Sequence, residues 1–165
     1  MTESGKTTLA KRLAKRYRQA NVGVIVLDPM NDPGWNATAS FTESAPFLDV
    51  VKRSKSCAVF IDESGDTIGR YNDEMFWLAT KSRHYGHNAH FITQDAKQLA
   101  RVVRTQCRHL FLFNSALESC DILAKDWNKP ELRKAANLPA FQCYWTERFG
   151  STRHVDLSSR HVEIP

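Results

Sequence analysis

The sequence predicts an α/β fold in which a mostly parallel sheet is flanked by helices. Residues 22–27 and 57–61 are short apolar runs, rich in β-branched residues, and neither shows the alternation of a half-exposed strand. Continuous runs of this kind are typical of parallel strands that are buried on both faces. Segments with helical periodicity alternate with them. Near its start the chain has a Gly-Lys-Thr-Thr motif at residues 5–8, directly ahead of a predicted helix. This motif is typical of α/β proteins.

Size and composition predict one domain. The chain has 165 residues, of which 42% are hydrophobic, enough for a single core. We therefore expect one domain over residues 1–165, with its core in residues 1–115 and C-terminal helices and a hairpin in residues 116–165. There is no apolar run of the roughly 18 residues that a membrane span needs, and no signal peptide. The net charge of +5 favours a polyanionic partner, although solvated helix faces would give the same charge.

The first stretch of the chain has the composition of a phosphate-binding loop, the Walker A motif. Backbone N–H groups of such a loop and of the following helix N-terminus surround phosphate oxygens. Lys6 would reach the β and γ phosphates of a triphosphate, and the Thr7 hydroxyl would hold Mg²⁺. The residues predicted to form the loop are Thr2, Glu3, Ser4, Gly5, Lys6, Thr7 and Thr8. The alternative is a Ser-Gly turn that caps an ordinary basic helix.

The motif is incomplete at its amino end. In the pattern G-x-x-x-x-G-K-[ST] the first glycine stands five positions before the second, which places it one position ahead of Met1. The strand that normally precedes such a loop would also lie ahead of Met1. Three explanations stay open: a natural chain that begins earlier, an artificial or misassigned start at Met1, or a chain that works with an unusual loop.

A basic amphipathic helix and a buried strand follow the loop. Over residues 9–20 the apolar side chains recur every three or four positions, with Lys and Arg on the other side. The run at residues 22–27 ends in Asp28, at the sheet edge where α/β proteins bind ligands. Asp28 would contact nucleotide or a neighbouring subunit, or would cap the following turn. Residues 30–44 are predicted to be a long loop, whose Trp35 would stack on a base, line an interface or pack onto the core.

Residues 57–63 are the second informative stretch. A short helix is expected over residues 45–54, and the apolar run after it delivers two acids, Asp62 and Glu63, at the end of a strand. This is the Walker B arrangement, in which the first acid orients the Mg²⁺ shell and the second polarises the attacking water. Apolar strands that end in Asp-Glu are common. The position of this one favours function, because a single predicted strand separates it from the phosphate-binding loop.

A basic segment and a polar strand end come next. Residues 72–85 have helical spacing and end at Gly86, a good residue for a helix C-terminus. Arg83 lies in the densely basic tail of this predicted helix. A strand over residues 89–93 leads to Gln94, whose amide would sense the γ-phosphate or hold the attacking water. The alternative for Gln94 is the N-terminal residue of the next helix.

The remaining residues are predicted to add a strand, helices and a hairpin. Residues 96–103 are expected to be helical, and residues 109–114 to form an aromatic, buried strand. Two helices follow over residues 115–127 and 130–137, and then a β-hairpin built from residues 142–149 and 153–157. The four cysteines lie far apart without a C-x-x-C pair, so we expect free thiols and no zinc site.

Six segments, in their order and spacing, form a recognisable set. They are residues 2–8, the strand ending in Asp28-Pro29, Phe60-Ile61-Asp62-Glu63, residues 81–87, Phe91-Ile92-Thr93-Gln94 and the block from Arg104 to Phe113. Together they resemble the FtsK–HerA superfamily of DNA-pumping ATPases. A chain this short looks most like its compact viral branch, the genome-packaging ATPases of membrane-containing, tectivirus-like viruses. The resemblance rests on order and spacing, since each motif alone is weak.

The resemblance implies a RecA-like P-loop NTPase core that hydrolyses ATP with Mg²⁺ and threads double-stranded DNA through a homo-oligomeric ring, usually a hexamer. By matching position, Lys6 and Thr7 would bind phosphate and Mg²⁺, and Asp62 would support the metal. Glu63 would be the general base and Gln94 the sensor. The resemblance also implies a location in the host cytoplasm or at the packaging vertex of the virion, with capsid or membrane vertex proteins as partners.

The resemblance also implies an arginine that acts in trans. In such rings an arginine of the next subunit stabilises the charge on the transferred phosphoryl group. Arg83 is the first candidate because it lies in the basic segment ahead of the sensor strand, and Arg104 and Arg108 follow it. Cellular members often carry an arginine soon after the fifth core strand, where this chain has Ser119-Cys120. The choice among the three arginines therefore stays open.

Three other functions remain as alternatives. A cellular HerA- or FtsK-type DNA translocase would share the same motifs. A small-molecule kinase shares the P-loop, but it does not need an Asp-Glu pair and it uses an arginine-rich lid over the phosphates. A non-catalytic protein that binds nucleotide only to assemble a ring would gain nothing from the base Glu63.

Overall fold

The computed structural model of the chain describes residues 4–62 and 72–158, and of residues 72–75 the backbone alone. The described residues form two compact units. One comprises residues 7–93, and the other comprises the residues up to 6 together with those from 94 onward. We name them the parallel-sheet unit and the antiparallel-sheet unit. No helix in the described part of the chain is long and apolar enough to cross a membrane.

The parallel-sheet unit contains four strands. Its elements, in chain order, are α1 (Lys6–Gln19), β1 (Val24–Leu27), β2 (Ala39–Phe41), α2 (Ser44–Arg53), β3 (Ala58–Ile61), α3 (Asn72–Thr80), a 3₁₀ helix (Ser82–Tyr85) and β4 (Asn88–Phe91). The strand order is β2-β1-β3-β4, and each neighbouring pair is parallel. The mostly parallel sheet predicted from the buried apolar runs is therefore confirmed.

The two central strands, β1 and β3, are buried along their whole length. Alternate residues of both strands pack against Ala10 and Ala14 of α1. Helix α2 buries Phe47, Leu48 and Val51 and packs against β1 and β2. Full burial of a side chain of this size contributes about 1.5–3 kcal/mol, so this core fixes the strands whose ends carry the predicted acids.

The structure has a strand, β2, inside the predicted loop of residues 30–44. Just before it, Thr38 N donates to Val24 O at 2.7 Å, and Val24 N donates to Thr38 Oγ1 at 2.9 Å. A three-residue strand at a sheet edge is too short to show a hydrophobic period. The prediction of a single strand between the phosphate-binding loop and Asp62 is therefore wrong, although β1 does lie directly beside β3.

The helix predicted over residues 72–85 is two helices. The α-helix ends at Thr80, and the 3₁₀ helix that follows ends before Gly86, which has a φ of +78°. Thr80 and Ser82 each donate a hydroxyl hydrogen bond to the carbonyl four residues earlier. Such bonds compete with the helical ladder and bend helices. They account for the break that the apolar spacing does not show.

The antiparallel-sheet unit contains three strands. Its elements are a 3₁₀ helix (Ala96–Gln98), α4 (Arg101–Gln106), β5 (His109–Phe113), α5 (Leu117–Trp127), a second 3₁₀ helix (Pro130–Asn137), β6 (Gln142–Glu147) and β7 (Thr152–Asp156). The strand order is β5-β6-β7, and both pairs are antiparallel. The predicted C-terminal hairpin is confirmed as β6-β7, and β5 joins it as a third strand.

Helix α5 and the second 3₁₀ helix cover the antiparallel sheet with an apolar cluster that includes Leu112, Cys120, Trp127 and Leu132. The single helix predicted over residues 96–103 is wrong in detail, because the backbone is extended at Leu99 and divides it into two pieces.

Candidate nucleotide-binding site

The carboxyl ends of β1 and β3 place two buried acids at one edge of the parallel sheet. Leu27 lies opposite Ile61 in the parallel register, and Asp62 N donates to Leu27 O at 2.9 Å. Asp28 and Asp62 therefore follow neighbouring strands at the same level, with exposed fractions of 4% and 6%. This edge is where open α/β sheets bind ligands.

Asp28 has a structural role at this edge. Its carboxylate accepts hydrogen bonds from Met30 N at 2.9 Å, Asp32 N at 2.8 Å and Trp35 Nε1 at 3.0 Å. The Trp35 ring packs on Phe60, with ring centroids 5.6 Å apart. Of the alternatives that the sequence left open, the structure shows turn capping for Asp28 and packing onto the core for Trp35.

Asp62, in contrast, lies against the start of α1. Thr7 Oγ1 lies 3.5 Å from Asp62 Oδ2, a contact between residues 55 positions apart. Thr7 is in the first turn of α1, where backbone N–H groups have no partner within the helix. A hydroxyl and a carboxylate are the hard oxygen donors that Mg²⁺ takes. The two predicted metal ligands therefore fit one Mg²⁺ ion, and the structure brings them together. Thr8 follows Thr7 on α1 and is half-buried.

The predicted phosphate-binding loop enters α1 through Gly5, whose φ of +100° lies in the left-handed region that favours glycine. Lys6 Nζ donates to Ser4 Oγ at 3.0 Å, which holds the ammonium group over the loop. The first turn of α1 contains no acidic residue. The positive end of the helix dipole is therefore not neutralised within the helix, and this charge suits a phosphate.

Three predicted site residues, Thr2, Glu3 and Glu63, lie outside the described residues. Ser4, Gly5, Lys6, Thr7, Thr8 and Asp62 are described. Glu63 directly follows Asp62 in the chain, and its assignment as the general base stays a prediction.

Gln94 follows the end of β4 by three residues, and its side chain is exposed. The next residue, Asp95, caps the first 3₁₀ helix and accepts hydrogen bonds from Ser119 Oγ at 2.7 Å and Lys97 N at 2.9 Å. These two donors hold the pKa of Asp95 below its ordinary value. Lys97 Nζ pairs with Glu118 at 2.6 Å. The segment that follows the predicted sensor is thus fixed to the first turn of α5 at two points.

Arg83 lies at the opposite edge of the parallel sheet. Its 3₁₀ helix precedes β4, and Ser56 N, just ahead of β3, donates to Tyr85 O at 2.9 Å. The four residues of β3 separate this edge from Asp62, and four residues of a strand span roughly 13 Å. Arg83 is exposed and has no side-chain partner among the described residues. This position does not serve the site of its own subunit, so a role in trans stays a prediction.

Arg104 and Arg108 differ in exposure. The Arg104 side chain is 11% exposed and donates to Asp126 Oδ2 at 2.7 Å and to main-chain carbonyls. Arg148 donates to Arg104 O at 2.9 Å and lies 4.2 Å above the Trp127 ring. Arg104 therefore belongs to a network that stabilises the antiparallel-sheet unit. Arg108 is exposed, and its side chain has no partner within the described part of the chain.

The four cysteines are free thiols. Burial raises the pKa of Cys107 to about 11 and that of Cys143 to about 12. Both thiols are therefore protonated at neutral pH and are poor nucleophiles. Within residues 4–62 and 72–158 there is no group of three His, Cys, Asp or Glu side chains arranged to hold a metal ion.

Two contacts within the antiparallel-sheet unit could not be predicted from the sequence. One is the bond between Asp95 and Ser119, for which the only local signal is an aspartate ahead of a helical turn. The other is Phe141, whose N–H donates to Ser4 O at 3.0 Å. Neither partner lies at a spacing that a motif would show.

Comparison with solved structures identifies the fold. The genome packaging NTPase B204 from Sulfolobus turreted icosahedral virus 2, in complex with AMPPCP, matches with a TM-score of 0.77 and 16% identity, over 93% of this chain and 91% of B204. The DNA-packaging ATPase B204 from Sulfolobus turreted icosahedral virus matches with a TM-score of 0.75 and 12% identity, over 92% of this chain and 91% of that protein. The shared fold is that of P-loop ATPases.

A secretion ATPase has the same fold. The cytoplasmic domain of the Type VII secretion ATPase EccC from Thermomonospora curvata matches with a TM-score of 0.71 and 13% identity, over 94% of this chain but 24% of EccC. No protein-family model matches the sequence, and no curated protein matches it significantly. The resemblance to viral packaging ATPases that the order of motifs predicts is thus confirmed at the level of the fold.

Proposed function

We propose that the chain is a single ATPase domain that binds ATP with Mg²⁺ and couples its hydrolysis to movement along double-stranded DNA, in the packaging of a viral genome. The observation that carries the proposal is the contact between Thr7 and Asp62, on a fold shared with B204. Two segments far apart in the chain, each predicted to serve the same Mg²⁺, meet at this contact.

The chain's own residues divide the chemistry among them. Lys6 and the N–H groups at the start of α1 bind the phosphates and neutralise their charge. Thr7 and Asp62 hold Mg²⁺, which supplies electrostatic stabilisation for phosphoryl transfer. Glu63 accepts a proton from the water while that water attacks the γ-phosphate in line. Gln94, on the exposed segment after β4, senses that phosphate.

The charge on the transferred phosphoryl group calls for a further cation. In the proposal an arginine of a neighbouring subunit supplies it, within a homo-oligomeric ring of six copies. Arg83 remains the first candidate and Arg108 the second, since both are exposed without a side-chain partner in the described part of the chain. Arg104 is the weakest of the three because Asp126 holds its guanidinium group.

The proposed DNA contacts are electrostatic and independent of base sequence. The net charge of +5 supports them. Affinity that depends on phosphate contacts falls steeply as the salt concentration rises, because the release of counterions from DNA on binding becomes less favourable. The proposal places the protein in the host cytoplasm or at the packaging vertex of the virion, with capsid or membrane vertex proteins as partners.

Phosphate release from MgATP, measured with and without long duplex DNA, tests the proposal. We expect release that duplex DNA stimulates and that rising salt suppresses. Lys6→Ala should lower the rate by at least about 10²-fold. Lys15→Ala is the control, since Lys15 is exposed on the same helix. Transfer of the γ-phosphate to a small acceptor without net phosphate release would support a kinase instead.

The likeness to EccC favours a second candidate, an ATPase that serves secretion. The same assay separates the two, because phosphate release that duplex DNA leaves unchanged at low and at high salt would favour the second candidate.

A further inference from the structure

Phe141 has a backbone conformation that is rare for its residue type. Its φ of +62° lies in the left-handed region, where a Cβ is disfavoured and a bulky residue is an outlier. Such outliers persist only where the surrounding structure fixes them, and they cluster at functional sites. The surroundings of Phe141 therefore call for an explanation.

Hydrogen bonds on both sides hold the backbone of Phe141. Its N–H donates to Ser4 O at 3.0 Å, and its carbonyl accepts from Leu157 N at 2.8 Å. Leu157 is buried directly after β7. A single residue thus connects the phosphate-binding loop to the end of the antiparallel sheet.

Phe141 also closes the space beside Gly5. A Cβ on Gly5 would lie 3.1 Å from Phe141 Cδ1, 3.2 Å from Phe141 Cα and 3.2 Å from Phe113 Cε1. Real Cβ atoms rarely approach other atoms so closely, so the rings of Phe113 and Phe141 leave no room for a side chain at Gly5. Phe113 is buried at the end of β5, whereas Phe141 is 39% exposed. Phe141 is therefore both the more exposed of the two aromatic residues and the one whose N–H donates to Ser4 O.

We propose that Phe141 is a positioning residue for nucleotide binding, which holds Gly5 in its left-handed conformation so that Lys6 and the start of α1 meet the phosphates. The inference rests on the proposed function and deepens it, because it gives the C-terminal sheet a part in binding ATP. Without the ring the loop samples other conformations, and the apparent affinity falls by the fraction of molecules that are competent to bind. We expect an affinity loss of about tenfold, which corresponds to a competent fraction of about one tenth.

The test measures the affinity for AMPPCP with Mg²⁺ by calorimetry and the Tm of the free proteins. Phe141→Ala and Phe141→Gly both remove the ring, but glycine is at ease in the left-handed region, so Phe141→Gly should have the higher Tm. Both should nevertheless bind about tenfold more weakly than the wild type. In phosphate release, KM for ATP should rise by the same factor while kcat stays within about twofold.

Two further variants are controls. Phe141→Tyr keeps the ring and should bind as the wild type does. Phe149→Ala removes a ring that is 99% exposed in the turn between β6 and β7, and it should also bind as the wild type does.

The outcomes separate this inference from the proposed function. Wild-type affinity in both Phe141→Ala and Phe141→Gly would overturn the inference alone. Affinities that simply follow Tm would also overturn it, because they would indicate a purely structural role. If the wild-type protein itself binds no AMPPCP with Mg²⁺, the proposed function fails, and the inference fails with it.

Discussion

The two units of the molecule bring their polar groups together in different ways. In the parallel-sheet unit, Asp28 and Asp62 directly follow neighbouring strands, and the topology alone aligns them at one edge. In the antiparallel-sheet unit, Arg148 meets Trp127 and Asp95 meets Ser119 through side-chain contacts without regular spacing. Groups aligned by topology are visible in a sequence as motifs, whereas groups aligned by packing are not. Two questions follow: which of the acids aligned by topology take part in chemistry, and how much stability the contacts made by packing contribute.

Glu63→Gln should separate chemistry from stability in the parallel-sheet unit. Glutamine keeps the shape of the side chain but cannot accept the proton of water, so kcat for phosphate release should fall about 10²–10⁴-fold. The affinity for MgATP and the Tm should stay at wild-type values. The matched control is Glu43→Gln, since Glu43 precedes α2 and makes no side-chain cap hydrogen bond. Unchanged phosphate release by Glu63→Gln would assign the base to another group.

Asp28→Ala should have the opposite effect, because Asp28 follows a strand but serves the fold. The substitution leaves two main-chain N–H groups and the Trp35 indole N–H without their acceptor. We expect the free energy of unfolding in urea to fall by about 3 kcal/mol. Asp32→Ala removes a half-exposed ion pair with Lys11 and should cost less than about 1 kcal/mol. Equal losses in the two variants would contradict the structural role of Asp28.

Arg148→Met should destabilise the antiparallel-sheet unit by about 2 kcal/mol, since hydrogen bonds from a charged group are the strong ones. Arg148 donates to the carbonyls of Cys107, Asp126 and Arg104 and lies over a tryptophan ring. Arg153→Met is the control, because Arg153 is exposed and its cation–π contact with Trp145 spans 5.3 Å, so the loss should be about 0.5 kcal/mol. Urea unfolding of both variants measures the difference, and the reverse order would show that the network around Arg148 is not stabilising.

Ser119→Ala should have the smallest effect and a defined pH dependence. The Ser119 hydroxyl is the largest cause of the lowered pKa of Asp95, so the substitution should raise that pKa. A carboxylate with a lowered pKa stabilises the folded state above its unfolded pKa, and this contribution is lost as the pH falls through its folded pKa. The stability difference from the wild type should therefore be complete well above the ordinary aspartate pKa of about 3.9, and it should vanish once the pH is below the lowered pKa of Asp95 in the folded wild type.

The effect of Ser119→Ala should stay below about 1 kcal/mol, because solvent screens the partly exposed Asp95. Titration of the carboxyl carbon by NMR measures the pKa. Ser115→Ala removes a hydroxyl that bonds to a main-chain carbonyl and should leave the pKa of Asp95 unchanged. If the pKa of Asp95 is the same in Ser119→Ala as in the wild type, the hydrogen bond from Ser119 does not lower it, and this prediction is wrong.

The parallel sheet could be predicted because its signals are local. Because β1 and β3 are buried on both faces, each is an unbroken apolar run in the sequence. Once those runs are parallel neighbours, Asp62 must lie at the ligand-binding edge. Asp62 contacts Thr7 because α1, which starts at Lys6, begins at the same edge of the sheet. Only the three-residue β2 is too short to leave a period.

The supporting contacts could not be predicted because they depend on tertiary packing. The hydrogen bond from Ser119 to Asp95 joins residues 24 positions apart. The hydrogen bond from Phe141 N to Ser4 O joins the last part of the chain to the first. The break after Thr80 depends on hydroxyl groups turning back to the helix, which apolar spacing does not register. Similarly, Arg104 stands in the predicted basic block, yet its burial beside Asp126 is visible only in the folded chain.

The Mg²⁺ dependence of ATP binding tests the central claim most directly, the claim that the start of α1 and the end of β3 serve one metal-bound triphosphate. Wild-type protein, Asp62→Asn and Asp28→Asn are titrated with Mg²⁺ at a fixed concentration of ATP. The account predicts that Asp62→Asn needs about 10–100 times more Mg²⁺ for half-maximal binding, while Asp28→Asn keeps the wild-type requirement. The same Mg²⁺ requirement in Asp62→Asn as in the wild type would contradict it.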